Sequence, residues 1–183
     1  MERLFTKIPN GLRSRFKIIF YKALGMSIGK NNRFEEGKCR RYSQIKLGNN
    51  NALCGGGFML WPLDQDSSEK KIVIGNDNFF NRNLFIDACG KVEIGNGNMF
   101  GPDVYITDSN HKYKEGISSR DLPMSIGTVV IGNNCWIGAK SVILKDVELG
   151  DNCVVAAGAV VTKSFPAGSV IAGVPGKLMN KVV

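Results

Sequence analysis

Residues 131–161 read IGNNCWIGAKSVILKDVELGDNCVVAAGAVV, and an apolar residue returns at every sixth place: Ile131, Ile137, Ile143, Leu149, Val155 and Val161. Four positions after each of the first five stands a small or medium residue: Cys135, Ser141, Val147, Cys153 and Ala159. A step of six is neither the helical period nor the alternation of an isolated strand. It is the hexapeptide repeat of a parallel β-helix. Three six-residue flats close one triangular coil, and the first and fifth residues of each flat turn inward to fill a narrow core.

The same step runs backward through the chain. Ile94, Phe100 and Ile106 form one coil, Ile74, Phe80 and Ile86 another, and Leu47, Leu53 and Met59 an earlier one, with Ile28 and Phe34 beginning the stack. Pairs that follow the coil-starting residues, Gly48-Asn49, Gly75-Asn76, Gly95-Asn96, Gly132-Asn133 and Gly150-Asp151, suit sharp corners because both residue types tolerate positive φ. A series of ordinary hairpins would leave less uniform spacings. The expectation is an all-β chain, with one β-helix domain over residues 26–183.

Residues 1–25 form a different segment. Residues 1–46 hold 12 Lys and Arg against 3 Asp and Glu, whereas the remaining 137 residues hold 12 against 13, so the surplus of the chain is concentrated at its start. Within it Leu12, Phe16, Ile19, Phe20 and Ala23 share one helical face, with Arg13, Arg15, Lys17 and Lys22 among them. Asn10 suits the start of such a helix and Gly25 its end. Two readings stand side by side: the basic amphipathic helix rests on an anionic membrane surface, or it packs on the end of the prism or on a neighbouring subunit. No nucleic-acid reader motif accompanies the charge. There is no secretory apolar region and no stretch long enough to span a bilayer, which points to the cytoplasm, or the inner face of the membrane. The five cysteines are odd in number and lack a C-x-x-C pair; Cys135 and Cys153, one coil apart on the inward position, read as reduced core thiols.

Two excursions break the regularity. From Ile94 to Ile131 the chain takes one coil and nineteen residues more, and the surplus is the loop 107–127, TDSNHKYKEGISSRDLPMSIG. A long excursion without a period of its own, in so regular a scaffold, is a candidate functional element. It carries His111, the single histidine of the chain. A second excursion, residues 61–71 (WPLDQDSSEKK), is charged and is expected at the surface. One histidine cannot furnish the three or four ligands of a zinc site, so no metal is expected.

The chain resembles the hexapeptide-repeat acyltransferases of left-handed β-helix fold, and within them the sugar O-acetyltransferases related to maltose and galactoside acetyltransferases and to those of bacterial polysaccharide clusters. Four blocks carry the likeness: Phe79 to Asp87 (FFNRNLFID), Ile94 to His111, Cys135 to Ala139 (CWIGA), and Ala157 to Lys163 (AGAVVTK) with Ala172 to Lys177 (AGVPGK). The left hand of the coil is implied by this resemblance, as is the chemistry. His111 is then the general base that removes the proton from an acceptor hydroxyl attacking the acetyl-CoA thioester, a role to which imidazole is suited near neutral pH. Asn81 holds the acceptor sugar, Asp87 is a further substrate contact, and Asp108 either orients the imidazole or caps a turn. A backbone N–H near Gly138 and Ala139 stabilises the oxyanion.

The resemblance also implies that coenzyme A lies in a groove between neighbouring prisms of a homotrimer, along Trp136, Gly138, Ala139, Ala157, Thr162, Lys163 and Lys177. Ala139 stands where relatives often carry Ser, and Asn180 where some carry Arg. The function implied is acetyl transfer to a sugar hydroxyl in bacterial surface polysaccharide synthesis, by direct transfer without a covalent acyl-enzyme. Transfer to an amine, as in amino-sugar or xenobiotic acetyltransferases, is the alternative among enzymes. A non-catalytic β-helix scaffold is the alternative outside them.

Overall fold

The structure is a computed structural model that describes residues 10–64 and 67–181. Residues 1–9 of the N-terminal segment, with Arg3 and Lys7, lie outside the described residues. The hexads become strands of three parallel sheets, one on each face of a prism. The first face stacks Ser27–Ile28, Ile45–Leu47, Ile72–Ile74, Lys91–Ile94, Thr128–Ile131 and Val147–Leu149. The second stacks Arg33–Phe34, Ala52–Leu53, Phe79–Phe80, Met99–Phe100, Trp136–Ile137, Val154–Val155 and Ser169–Ala172. The third stacks Gly37–Cys39, Phe58–Pro62, Phe85–Ala88, Tyr105–Thr107, Val142–Ile143 and Val160–Val161. A last strand, Lys177–Lys181, turns back antiparallel against Ser169–Ala172.

Register aligns the coil-starting residues into columns. Ile94 lies between Ile74 and Ile131, Phe100 between Phe80 and Ile137, and Ile106 between Ile86 and Ile143. All are buried, and the Phe80 and Phe100 rings stack at 4.7 Å. Each such side chain contributes about 1.5–3 kcal/mol on leaving water. One column departs from the hexad count. Leu60, not Met59, pairs with Ile86, and Phe58 and Leu60 are buried. The extra residue is absorbed by Gly55, Gly56 and Gly57, all at φ near +75°, a corner that only a run of glycines permits at low cost.

The corner pairs work differently from the expectation. Positive φ falls on the residue after each pair, at Asn50, Asp77, Gly97, Asn134 and Asn152, and not on the Gly-Asn or Gly-Asp pair itself. The second residue of the pair builds a ladder along the prism. Asn49 N–H donates to Asn76 Oδ1, Asn76 N–H to Asn96 Oδ1, Asn96 N–H to Asn133 Oδ1 and Asn133 N–H to Asp151 Oδ1, each at 2.7–2.8 Å. The glycine is required by proximity: a Cβ on Gly48 would stand 2.5 Å from Asn76 Oδ1 and from the Gly75 carbonyl oxygen. A second ladder runs inside through Asn32, Asn51, Asn78 and Asn98 to the Cys135 N–H. Cys135 and Cys153 are buried free thiols, as read from the sequence, and the Cys135 Sγ donates to the Gly150 carbonyl oxygen.

Helix α1 (Asn10–Ala23) covers the open edge of the first coil. Its end is fixed by Gly25 at φ +94°, with Met26 N–H donating to the Tyr21 carbonyl. Ser14 Oγ accepts the N–H of edge residue Phe34 at 2.8 Å, and Tyr21 packs edge-on against the Phe34 ring. The helix therefore does rest on the prism, but chiefly by Ser14 and Tyr21, which are buried; of its apolar stripe Phe20 meets the Tyr42 ring edge-on at 6.4 Å, whereas Leu12, Phe16 and Ile19 are exposed.

Candidate active site

Both excursions leave the same edge of the prism, the corner from the third face back to the first. The longer one is not a structureless loop. Ser109–His111 and Met124–Ile126 pair as an antiparallel hairpin, with His111 opposite Met124, and Ser118 caps the short 3-10 turn Ser119–Asp121. Hairpin formation follows from confinement of both ends at one corner, where Gly127 N–H donates to the Asp108 carbonyl. The His111 side chain is exposed at the end of its strand.

A buried carboxyl holds the hairpin root. Asp108 is 0% exposed; its Oδ1 accepts the Cys89 N–H at 2.8 Å and its Oδ2 has no hydrogen-bond partner. Burial pushes this carboxyl from 3.8 up to about 6, with Asp87 adding to the rise and the Cys89 and Gly90 N–H groups and Lys71 opposing it. Asp108 therefore ties the hairpin to the preceding corner. Asp87, on the neighbouring strand, accepts from the Tyr105 hydroxyl through Oδ2 at 2.6 Å, and its Oδ1 is buried without a partner. Burial, then the bond to Asp87, holds the Tyr105 phenol up at about 12.

The shorter excursion reaches the same cluster. Its charge is not all at the surface, because Lys71 is buried at 7% exposure, with ion pairs to Asp64 at 3.3 Å and Glu69 at 3.5 Å. The sequence reading missed Tyr105 and Lys71. The available signal was the strand register, which sets Tyr105 one place before inward Ile106 and beside the column of Asp87.

Four residues that the sequence singled out come together elsewhere. Trp136, Gly138, Ala139 and Ala157, with Gly101, Pro102 and residues 154–156, line a mostly apolar groove of about 540 Å³ at the corner from the second face to the third. Coils approach closely here because glycine allows it: a Cβ on Gly138 would stand 2.5 Å from the Ala157 nitrogen. Gly138 N–H donates to the Val155 carbonyl at 2.8 Å, whereas the N–H groups of Ala139 and Ala157 donate to no backbone carbonyl among the described residues. Two residues whose N–H groups have no backbone acceptor among the described residues thus line this apolar trough. Trp136 is 54% exposed and continues an outward apolar column with Met99, its partner in register, and Phe79, the partner of Met99.

The remaining site candidates are dispersed. Asn81 sits at the same corner one coil above the groove, its N–H donating to the Phe100 carbonyl beside Gly101 and its Oδ1 accepting the Arg82 N–H at 2.8 Å. Thr162 and Lys163 follow Val160–Val161 on the hairpin's edge, and the Lys163 ammonium lies 5.7 Å from the Phe165 ring centre. Lys177 is exposed at the head of the last strand. Within one chain the groove lining includes neither His111 nor Asn81. Among the described residues no three His, Cys, Asp or Glu side chains are placed to hold a metal ion.

The sequence family described as bacterial transferase hexapeptide (six repeats) matches residues 128–163. A candidate lipopolysaccharide biosynthesis O-acetyl transferase of Escherichia coli (strain K12), WbbJ, is 34% identical over 128 residues, and the chain spans 65% of that relative's length and 65% of its own. Among solved structures, a galactoside acetyltransferase in complex with coenzyme A superposes with a TM-score of 0.67 at 26% identity, over 97% of this chain and 74% of that one. A mutant of AntD, an N-acyltransferase from Bacillus cereus, in complex with dTDP and coenzyme A, superposes with a TM-score of 0.74 over 89% of this chain and 88% of that one, and at 19% identity it speaks to the fold alone. The three-faced prism is the left-handed parallel β-helix, and the chain is similar to the bacterial hexapeptide-repeat transferases, whose repeat it carries over residues 128–163.

Proposed function

We propose that the protein is an acetyl-CoA-dependent O-acetyltransferase that modifies a hydroxyl of a saccharide destined for a bacterial surface polysaccharide. Two features on one scaffold carry the reading: an exposed imidazole on an anchored hairpin, and an apolar groove lined by two residues whose N–H groups have no backbone acceptor among the described residues. The amide-rich arm of coenzyme A suits such a trough, where Ala139 and Ala157 offer N–H groups and Trp136 a flat apolar wall. Ala139 N–H, rather than that of Gly138, is the donor available to a developing oxyanion.

In the transfer His111 takes the proton of the acceptor hydroxyl, the oxygen attacks the thioester carbonyl, and the coenzyme leaves as thiol. Asn81 and Asp87 contact the acceptor, and Asp108 fixes the hairpin that presents the base. Thr162, Lys163 and Lys177 serve the nucleotide end of the coenzyme, where charge-assisted contacts to phosphate weaken with salt. Because imidazole and groove occupy different corners of one prism, a complete site needs His111 of one copy beside the groove of another. The outward column of Phe79, Met99 and Trp136 offers the contact surface for that copy, in a homotrimer with three shared sites. The reaction is placed in the cytoplasm, where acetyl-CoA is available.

The test is an acetyl-CoA consumption screen over free, nucleotide-linked and lipid-linked saccharides with mass analysis of products. An acetyl ester on a sugar supports the reading. Acetylation of amines alone, or no turnover with any acceptor despite coenzyme binding, rejects it.

A further inference from the structure

We infer that the outward face of α1 docks this protein on an anionic lipid bilayer. At roughly 100° per residue, Ser14 and Tyr21 lie on the side of α1 that meets the first coil, and Leu12, Phe16, Ile19 and Ala23 lie opposite. The exposures follow that geometry: Phe16 and Ile19 are about two-thirds exposed, at 64% and 65%, whereas Tyr21 is at 5%. The helix thus uses a polar-aromatic face for its own fold and leaves Leu12, Ile19 and most of Phe16 exposed, while Phe16 also borders a groove with Glu35 and Gly55 and Phe20 turns edge-on to Tyr42.

The rim of the stripe is cationic. Arg15 and Lys22 follow one edge, while the helix carries no acidic residue. The first coil beneath it adds exposed Lys30, Arg33, Lys38 and Arg40 against Glu35 and Glu36. An apolar stripe flanked by Arg15 and Lys22, above a first coil rich in exposed Lys and Arg, matches a headgroup layer: the stripe enters the acyl boundary and the cations remain with the phosphates. A second copy of the chain would bring the same cations against themselves.

Docking itself is independent of the proposed activity; only its consequence for the acceptor rests on that reading. The groove spans the fourth to sixth coils, so its middle stands about 19 Å along the prism from the first coil at about 4.8 Å per coil. That height suits a saccharide carried above the bilayer on a lipid, and not a group buried in it.

The test is flotation of the full chain, without substrate, on phosphatidylcholine vesicles with and without about a third phosphatidylglycerol. Binding is expected on the anionic vesicles alone and should weaken as salt is raised. Phe16→Ser with Ile19→Ser should lower it at least about ten-fold, and Arg15→Gln or Lys22→Gln about five-fold each. Circular dichroism and mass by light scattering should match wild type in all variants, since the replaced side chains face outward. Absence of flotation, or equal binding to neutral vesicles, overturns the inference. So does a fall in oligomer mass for the Phe16, Ile19 variant, which would assign the stripe to a neighbouring copy. A failed acceptor screen leaves this result untouched.

Discussion

Replacing Asp108 by asparagine should stabilise the protein at alkaline pH and leave it unchanged in acid. Asp108 is fully buried, spends one oxygen on the Cys89 N–H, leaves the other unpartnered and faces the like charge of Asp87. Its carboxyl rises from 3.8 to about 6 on folding, burial being the largest cause. A folded value above the unfolded one means that the contribution to stability is complete below pH 3.8. It is lost as pH rises toward about 6, because the unfolded chain releases its proton first, and is constant beyond. The difference corresponds to about 3 kcal/mol. The amide that replaces the carboxyl keeps an acceptor for Cys89 and carries no charge, so Asp108→Asn should gain about 2–3 kcal/mol at pH 8, or about 5–10 °C in Tm for a chain of this size. Thermal unfolding of both proteins from pH 4 to pH 8 measures it. Curves that converge at pH 4 and diverge at pH 8 support the account. A variant equal to or weaker than wild type at pH 8 refutes it.

Gly48→Ala places a methyl 2.5 Å from the next coil's Asn76 Oδ1 and Gly75 oxygen, forcing the coils apart where Gly48 N–H and Asn49 N–H both bond across. Loss of about 2–4 kcal/mol is expected by chemical denaturation, and loss below about 0.5 kcal/mol would contradict the proximity argument. Ala139→Phe fills the groove from its wall; thermal-shift titration with coenzyme A should show affinity lowered at least about ten-fold with the apo Tm little changed, whereas unaltered affinity would place the coenzyme elsewhere.

The strand columns were legible because first and fifth positions of each hexad must be apolar or small to fill a triangular core. That held for the first positions from Ile74 to Val161, whereas at the fifth positions after Ile74 and Ile94 the buried Asn78 and Asn98 are joined in a hydrogen-bonded ladder. The count failed by one residue at Met59, where counting in sixes cannot foresee a corner built on Gly55, Gly56 and Gly57. The Gly-Asn pairs announced corners, yet their reason is contact between coils: the glycine admits the neighbouring Asn, and positive φ falls one residue later. For α1 the apolar stripe was visible, but not which face meets the prism, since Tyr21 and Ser14 outcompete it by ring packing on Phe34 and by satisfying an edge N–H. At the site, Trp136, Gly138, Ala139 and Ala157 were named through the family resemblance, and the structure sets them at one corner in successive coils. The Asp87, Tyr105 and Asp108 cluster was only partly visible, because it joins residues from different coils through strand register rather than through spacing along the chain.

The central claim is that His111 takes the acceptor proton in an acetyl transfer. Its most direct measurement is single-turnover acetylation of a responsive saccharide by wild type and His111→Ala, with coenzyme A affinity followed in parallel. The account predicts a rate lowered by about 10²–10⁴ with coenzyme affinity preserved. A rate within a few-fold of wild type would contradict it.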